Sequence, residues 1–96
     1  MPIEQLLKAK RAGILEIAAR HGARNVRVFG SAARGEADEA SDVDFLVDME
    51  AGRSLLDMGG LLMELREFLG RDVDVITERG LKTRIRDRVL REAVSL

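Results

Sequence analysis

The sequence predicts a small α/β domain, and three observations lead there. Segments with helix-period apolar residues alternate with short β-branched runs, and glycines or a capping serine stand at several of the boundaries. The chain is 46% hydrophobic, enough for a packed core and too apolar for disorder. At 96 residues it has room for one domain, 1–96, and not two.

The first segment, Ile3 to Arg20, reads as a helix. Leu7, Ile14 and Ala18 recur at helical spacing, with Leu6 and Ile17 beside them. Pro2 is tolerated at a helix start and Gly22 is a natural stop. His21, at that end, reads as a cation near the last carbonyls. Val26 to Phe29 is a strand that breaks at Gly30-Ser31, where a short helical turn is expected. A second strand spans Val43 to Val47 and a third Asp72 to Ile76.

Between the second and third strands lies a helix, Ser54 to Leu69, with Leu55, Met58, Leu62, Leu65 and Leu69 spaced by three and four. Ser54 and Asp57 resemble a capping box, and Gly70 ends the helix. Gly59-Gly60 inside it costs about 1 kcal/mol per glycine relative to alanine. Such a pair marks a kink, a close helix–sheet contact, or the close approach of a ligand or partner backbone. A last helix spans Leu81 to Val94. Its main stripe is Leu81, Ile85 and Val89, while Leu90 and Val94 fall on another side and favour association with a partner or with itself. Arg84, Arg88 and Arg91 share one side, which suits a solvated basic face, an acidic partner or a nucleotide contact.

Composition removes several function classes. With 3% aromatics and neither Trp nor Tyr, the core is aliphatic and base stacking is not the recognition mode. A net charge of -1 argues against gripping nucleic acid by bulk electrostatics. The lack of cysteine removes disulfides, thiolate metal sites and a thiol nucleophile, and fits a reducing cytoplasm. One histidine leaves no material for a multi-histidine zinc site. Met1 to Lys10 carries charge and no long apolar stretch, so neither a signal peptide nor a membrane span is expected.

The chemistry concentrates in Gly30-Ser31-Ala32-Ala33-Arg34-Gly35 and in Asp42-Val43-Asp44. A strand ending at Gly-Ser turns its next backbone N–H groups outward. Gly30 leaves room for close approach, the Ser31 hydroxyl suits a phosphate oxygen, and the Arg34 fork lies one turn on. Asp42 and Asp44 are two apart at a strand start and so share a face, with Val43, Phe45 and Val47 turned the other way. Like charges this close resist joint ionisation without a cation. With Mg²⁺ they become hard oxygen ligands, and Mg²⁺ combines few carboxylates with substrate phosphates. Asp72-Val73-Asp74-Val75-Ile76 repeats the pattern, and pairing of the third strand beside the second would add Asp74 to the cluster. Asp72 reads as a solvated strand-start residue. A lone Asp-x-Asp is also what a strand end on a wet face looks like. The full constellation instead suits two-metal phosphoryl transfer, which needs no side-chain nucleophile.

Gly30-Ser31, ten intervening residues, then Asp42-x-Asp44 resembles the signature of the polymerase-β-like nucleotidyltransferase superfamily. The wider runs, Phe29 to Gly35, Ser41 to Val47 and Gly70 to Thr77, are most similar to its minimal nucleotidyltransferase (MntA-type) branch, and the likeness spans essentially the whole chain. The resemblance implies a small mixed sheet of about three strands packed with helices. It implies that Gly30 and Ser31 hold the triphosphate of ATP with help from Arg34. It implies that Asp42 and Asp44 ligate two Mg²⁺ ions, and that Asp74 ligates one of them and helps deprotonate the acceptor. It further implies an antitoxin paired with a HEPN-domain toxin, transferring AMP to a tyrosine of that toxin. The chain has no spare length for an acceptor domain, which favours a protein acceptor. Two other readings stand beside this one: neutralisation of the partner by occlusion, and transfer to a small molecule.

Overall fold

The computed structural model describes residues 2–36 and 42–96. Helix α1 (Ile3–Arg20) leads into strand β1 (Ala23–Phe29), followed by β2 (Val43–Met49), α2 (Leu55–Leu69) and β3 (Val73–Thr77). A 3₁₀ turn (Glu78–Gly80) then precedes α3 (Thr83–Glu92) and the short strand β4 (Val94–Ser95). The sheet order is β3-β2-β1-β4. β1 runs antiparallel to β2 and to β4, while β2 and β3 are parallel, so the sheet is mixed as expected.

The periodicities locate these elements well. α1 has the expected bounds, and its buried residues are Ile3, Leu7, Ile14, Ile17 and Ala18. α2 is capped as the sequence suggests. The Ser54 hydroxyl accepts from the Leu56 N–H at 3.2 Å, and the Ser54 N–H donates to Asp57 Oδ2 at 2.9 Å. That second bond is the main reason the Asp57 carboxyl lies below its ordinary 3.8. Gly70, left-handed at φ 65°, closes the helix. Ser54→Ala is expected to cost about 1 kcal/mol. The check is a lower urea midpoint at an unchanged m-value.

The sheet separates two apolar layers. Val26, Val28, Val43, Phe45, Val47 and Val73 face α1 and α2, where Leu61, Leu65 and Leu69 complete the larger core. The opposite face carries Leu46, with Phe29 and Ile76, against Leu81, Val89, Leu90 and Ala93. Side chains alternate along a strand, so Asp44 shares a face with Leu46, and Asp74 with Ile76. The acids therefore lie on the α3 side of the sheet.

The chain's end departs from expectation. The helix predicted over Leu81 to Val94 is only Thr83–Glu92. Ala93 turns extended, and Val94–Ser95 adds a fourth strand along the free edge of β1, with the Leu96 N–H donating to the Val26 carbonyl at 3.0 Å. Covering that edge satisfies backbone groups that a longer helix would leave open. Two stripe assignments change with it. Ile85 is exposed, whereas Leu90 packs into the smaller core and offers no second interface stripe.

The two central glycines of α2 differ in kind. A Cβ on Gly60 would lie 2.9 Å from His21 Cε1, so that glycine makes room for a ring at the end of α1 rather than for the sheet. The His21 ring, at the C-cap of α1, bonds Glu64 Oε1 at 3.0 Å and so ties α1 to α2. Among the described residues Gly59 has nothing within 4 Å of its Cβ position.

Candidate active site

The turn after β1 is a single helical turn, as the break at Gly30-Ser31 suggests. Gly30 adopts φ 72°, and the Arg34 N–H donates back to the Gly30 carbonyl at 3.2 Å. Gly35, also at φ 72°, closes the turn at once: its N–H donates to the Ala32 carbonyl and the Glu36 N–H to the Ser31 carbonyl. That pair of bonds is a Schellman stop, which explains why no longer helix follows. Ala32 is buried as the turn's anchor. Among the described residues none accepts a backbone hydrogen bond from the N–H groups of Ser31, Ala32 or Ala33.

Gly30 lies directly against Asp44. A Cβ on Gly30 would sit 2.5 Å from Asp44 Oδ2, a separation that real Cβ atoms do not tolerate. β1 pairs Phe29 with Asp44, which brings the turn to that carboxylate. On the other side the parallel register sets Asp44 beside Asp74. Asp42 precedes β2 and is exposed, Asp74 is exposed, and Asp44 between them is half-buried. Burial pushes the Asp44 carboxyl above its ordinary 3.8, and the charges of Asp74 and Asp42 push it further, while Arg34 pulls the other way. The three predicted acids and the predicted arginine thus share one electrostatic site. Asp72 stands apart, exposed and paired with Arg66 at 3.1 Å, as expected of a strand-start residue.

Arg34 is held in place by residues the sequence did not single out. Its Nε donates to Glu36 Oε2 at 3.0 Å and its Nη1 to Glu92 Oε2 at 3.1 Å. Arg88 holds the other oxygen of Glu92 at 3.3 Å. Glu92 on α3 is therefore the link between the turn and the helix below the sheet. Nothing in the local pattern marks it, because the contact spans 58 residues.

The donor set suits a hard cation. Three carboxylates repel one another at Asp44, and a divalent ion relieves that repulsion. Among the described residues no three acidic, histidine or cysteine side chains gather tightly enough to hold a metal alone. The remaining oxygens would come from phosphates and water, which is how Mg²⁺ is ordinarily held in phosphoryl-transfer sites.

A mixed sheet that sets paired aspartates against a glycine turn is the framework of a nucleotidyltransferase. The chain belongs to the nucleotidyltransferase domain family, whose model matches residues 12–96. It is 46% identical over 92 residues to protein adenylyltransferase MntA of Thermococcus cleftensis, covering 96% of this chain and 90% of that protein. A relative from Methanocaldococcus jannaschii that also carries a protein adenylyltransferase name is 45% identical over 83 residues, 86% of this chain and 89% of that protein. A solved minimal nucleotidyltransferase superposes with a TM-score of 0.89 at 54% identity, covering 100% of this chain and 97% of the other. A toxin–antitoxin crystal structure with AMP-PNP shares the fold at a TM-score of 0.75 and 21% identity, over 88% of this chain and 69% of that one. The chain is thus a nucleotidyltransferase. No helix among the described residues is long and apolar enough to cross a membrane.

Proposed function

We propose that this chain is a protein adenylyltransferase. It transfers AMP from ATP to a tyrosine hydroxyl of a HEPN-domain toxin and so acts in the cytoplasm as the antitoxin of the pair. The observation that carries the reading is the pairing of Asp44 with Asp74 beside the Gly30 turn. The protein adenylyltransferase names of relatives above 40% identity support the choice of nucleotide and of a protein acceptor.

Gly30 and Ser31 receive the triphosphate, with the N–H groups of Ser31 to Ala33 and the Ser31 hydroxyl as donors. Arg34 exchanges Glu92 for the phosphates, which its planar fork also matches. Asp42, Asp44 and Asp74 would hold two Mg²⁺ ions, which when bound would supply positive charge to the phosphates and the leaving pyrophosphate. Asp74 accepts the proton of the acceptor hydroxyl. The hydroxyl oxygen bonds to the α-phosphorus, the bond to the β-phosphate oxygen breaks, and pyrophosphate leaves.

The test incubates the purified chain with ATP, Mg²⁺ and a HEPN-domain protein encoded beside it, and reads the toxin by intact mass. Gain of one AMP on a tyrosine is the expected result. If the Asp42→Asn/Asp44→Asn variant neutralised the toxin as well as the unaltered chain, neutralisation would be by occlusion. AMP transfer to a small molecule in the absence of any protein acceptor would favour the third reading.

A further inference from the structure

We infer that Glu92 competes with the nucleotide phosphates for Arg34, so that the affinity of this site for a nucleoside triphosphate is set from α3. The inference rests on the proposed function, which gives Arg34 to the phosphates, and concerns what stands against that exchange.

Arg34 is bonded along two edges. Its Nε donates to Glu36 at 3.0 Å and its Nη1 to Glu92 at 3.1 Å. The two carboxylates are held differently. Glu36 follows two residues after Arg34 in the same turn, and its side chain is 65% exposed. Glu92 belongs to another element. Its side chain is 25% exposed, and Arg88 holds its second oxygen at 3.3 Å. The backbone fixes it as well. Glu92 is the last residue of α3, and two residues further on Val94 pairs with Val28 of β1, next to the strand's end. The short β4 thus sets Glu92 beside the Gly30 turn. This carboxylate is built into the fold and is not a chance meeting of two loose surface chains.

A carboxylate offers a guanidinium the same pair of oxygens as the edge of a phosphate. Glu92 therefore holds the edge of Arg34 that a phosphate takes in the proposed reaction. Its charge works against the nucleotide. Arg34 counters the surrounding acids, as its pull on the Asp44 carboxyl shows, and Asp42 and Asp74 push that carboxyl the other way. A carboxylate on Arg34 cancels part of the positive charge that a triphosphate needs there. Binding must then break an ion pair that α3 holds in place. A pair exposed to this degree is worth about two- to fivefold in a binding constant. Glu92 acts through Arg34 and is a positioning residue, not a catalytic one.

The test is a double-mutant cycle read by calorimetric titration with Mg²⁺ and the ATP analogue that carries a methylene between its α- and β-phosphorus. Glu92→Gln keeps the size and removes the charge, and should lower the dissociation constant about two- to fivefold. Arg34→Ala should raise it. Adding Glu92→Gln to Arg34→Ala should then change nothing, because the carboxylate acts only through Arg34. Neither side chain enters either core, so circular dichroism of all three variants should match the unaltered chain. A gain that persisted without Arg34 would be an effect of net charge and would overturn the inference. So would an unchanged constant in Glu92→Gln, or weaker binding, which would make Glu92 a support for Arg34 and not its competitor. With wild-type binding intact, each of these results would overturn this inference alone. A wild-type chain that bound no analogue would overturn it together with the proposed function.

Discussion

Asp44→Asn is expected to abolish nucleotidyl transfer and, in metal-free buffer, to raise the melting temperature. The loss should reach about 10³-fold or more in kcat, since several kcal/mol of charge stabilisation depend on the metal site. The gain in stability follows from the position of the group. Burial, with Asp74 and Asp42 adding to it, raises the Asp44 carboxyl above 3.8, so the folded chain binds this proton more tightly than the unfolded chain does. Stability contributed at this position is therefore present in acid and declines as pH rises through that interval. At neutral pH the ionised Asp44 opposes folding until a cation joins it. Asparagine keeps the size and removes the charge. Calorimetry of the two proteins between acid and neutral pH should show the decline in the wild type and a flatter profile in the variant. Adding Mg²⁺ and a non-hydrolysable ATP analogue should stabilise only the wild type. A variant that loses stability and activity together would mean that Asp44 serves the fold rather than the chemistry.

Gly30→Ala should damage both fold and activity, by separable routes. The residue holds φ 72°, a left-handed conformation that costs a side chain about 1–2 kcal/mol. The added methyl would also meet the Asp44 carboxylate at 2.5 Å and push it aside. Displacement of a reacting group by about 1 Å can cost about 10²-fold in rate, and kcat/KM should fall on that scale. Gly35→Ala is the internal control. It has the same φ of 72°, but the nearest atom to its Cβ position is Glu4 Oε1, at 3.1 Å. Urea midpoints should drop in both variants, whereas the large rate loss should belong to Gly30→Ala. Equal rate losses would assign the effect to backbone strain alone.

Much of this site can be read from residue order. Asp42 and Asp44 two apart, with Val43, Phe45 and Val47 turned inward, already predict a charged and an apolar face, and the core holds those three residues. The 15 residues of α2 between β2 and β3 form the crossover that a parallel pair needs, so the neighbours Asp44 and Asp74 follow from known geometry. Other features leave no local trace. β4 is two residues long, too short for an alternating pattern, and Val94 also fits the spacing of a helix. Its strand character comes from the open edge of β1, a tertiary demand. The hold of Glu92 on Arg34 and the seat of His21 on Gly60 likewise join residues far apart in the chain, where neither propensity nor periodicity reaches.

The parallel register of β2 and β3 also sets how this site tolerates changes of length. Asp44 and Asp74 meet because Gly70 to Asp72 carry the chain from the end of α2 to β3 with a fixed residue count. One residue added or lost in that link would turn Asp74 toward α1 and α2 and bring Val73 and Val75 to the α3 side. An insertion there would part the two acids, whereas the exposed link between β2 and α2, around Gly52, can lengthen without changing which acids face one another.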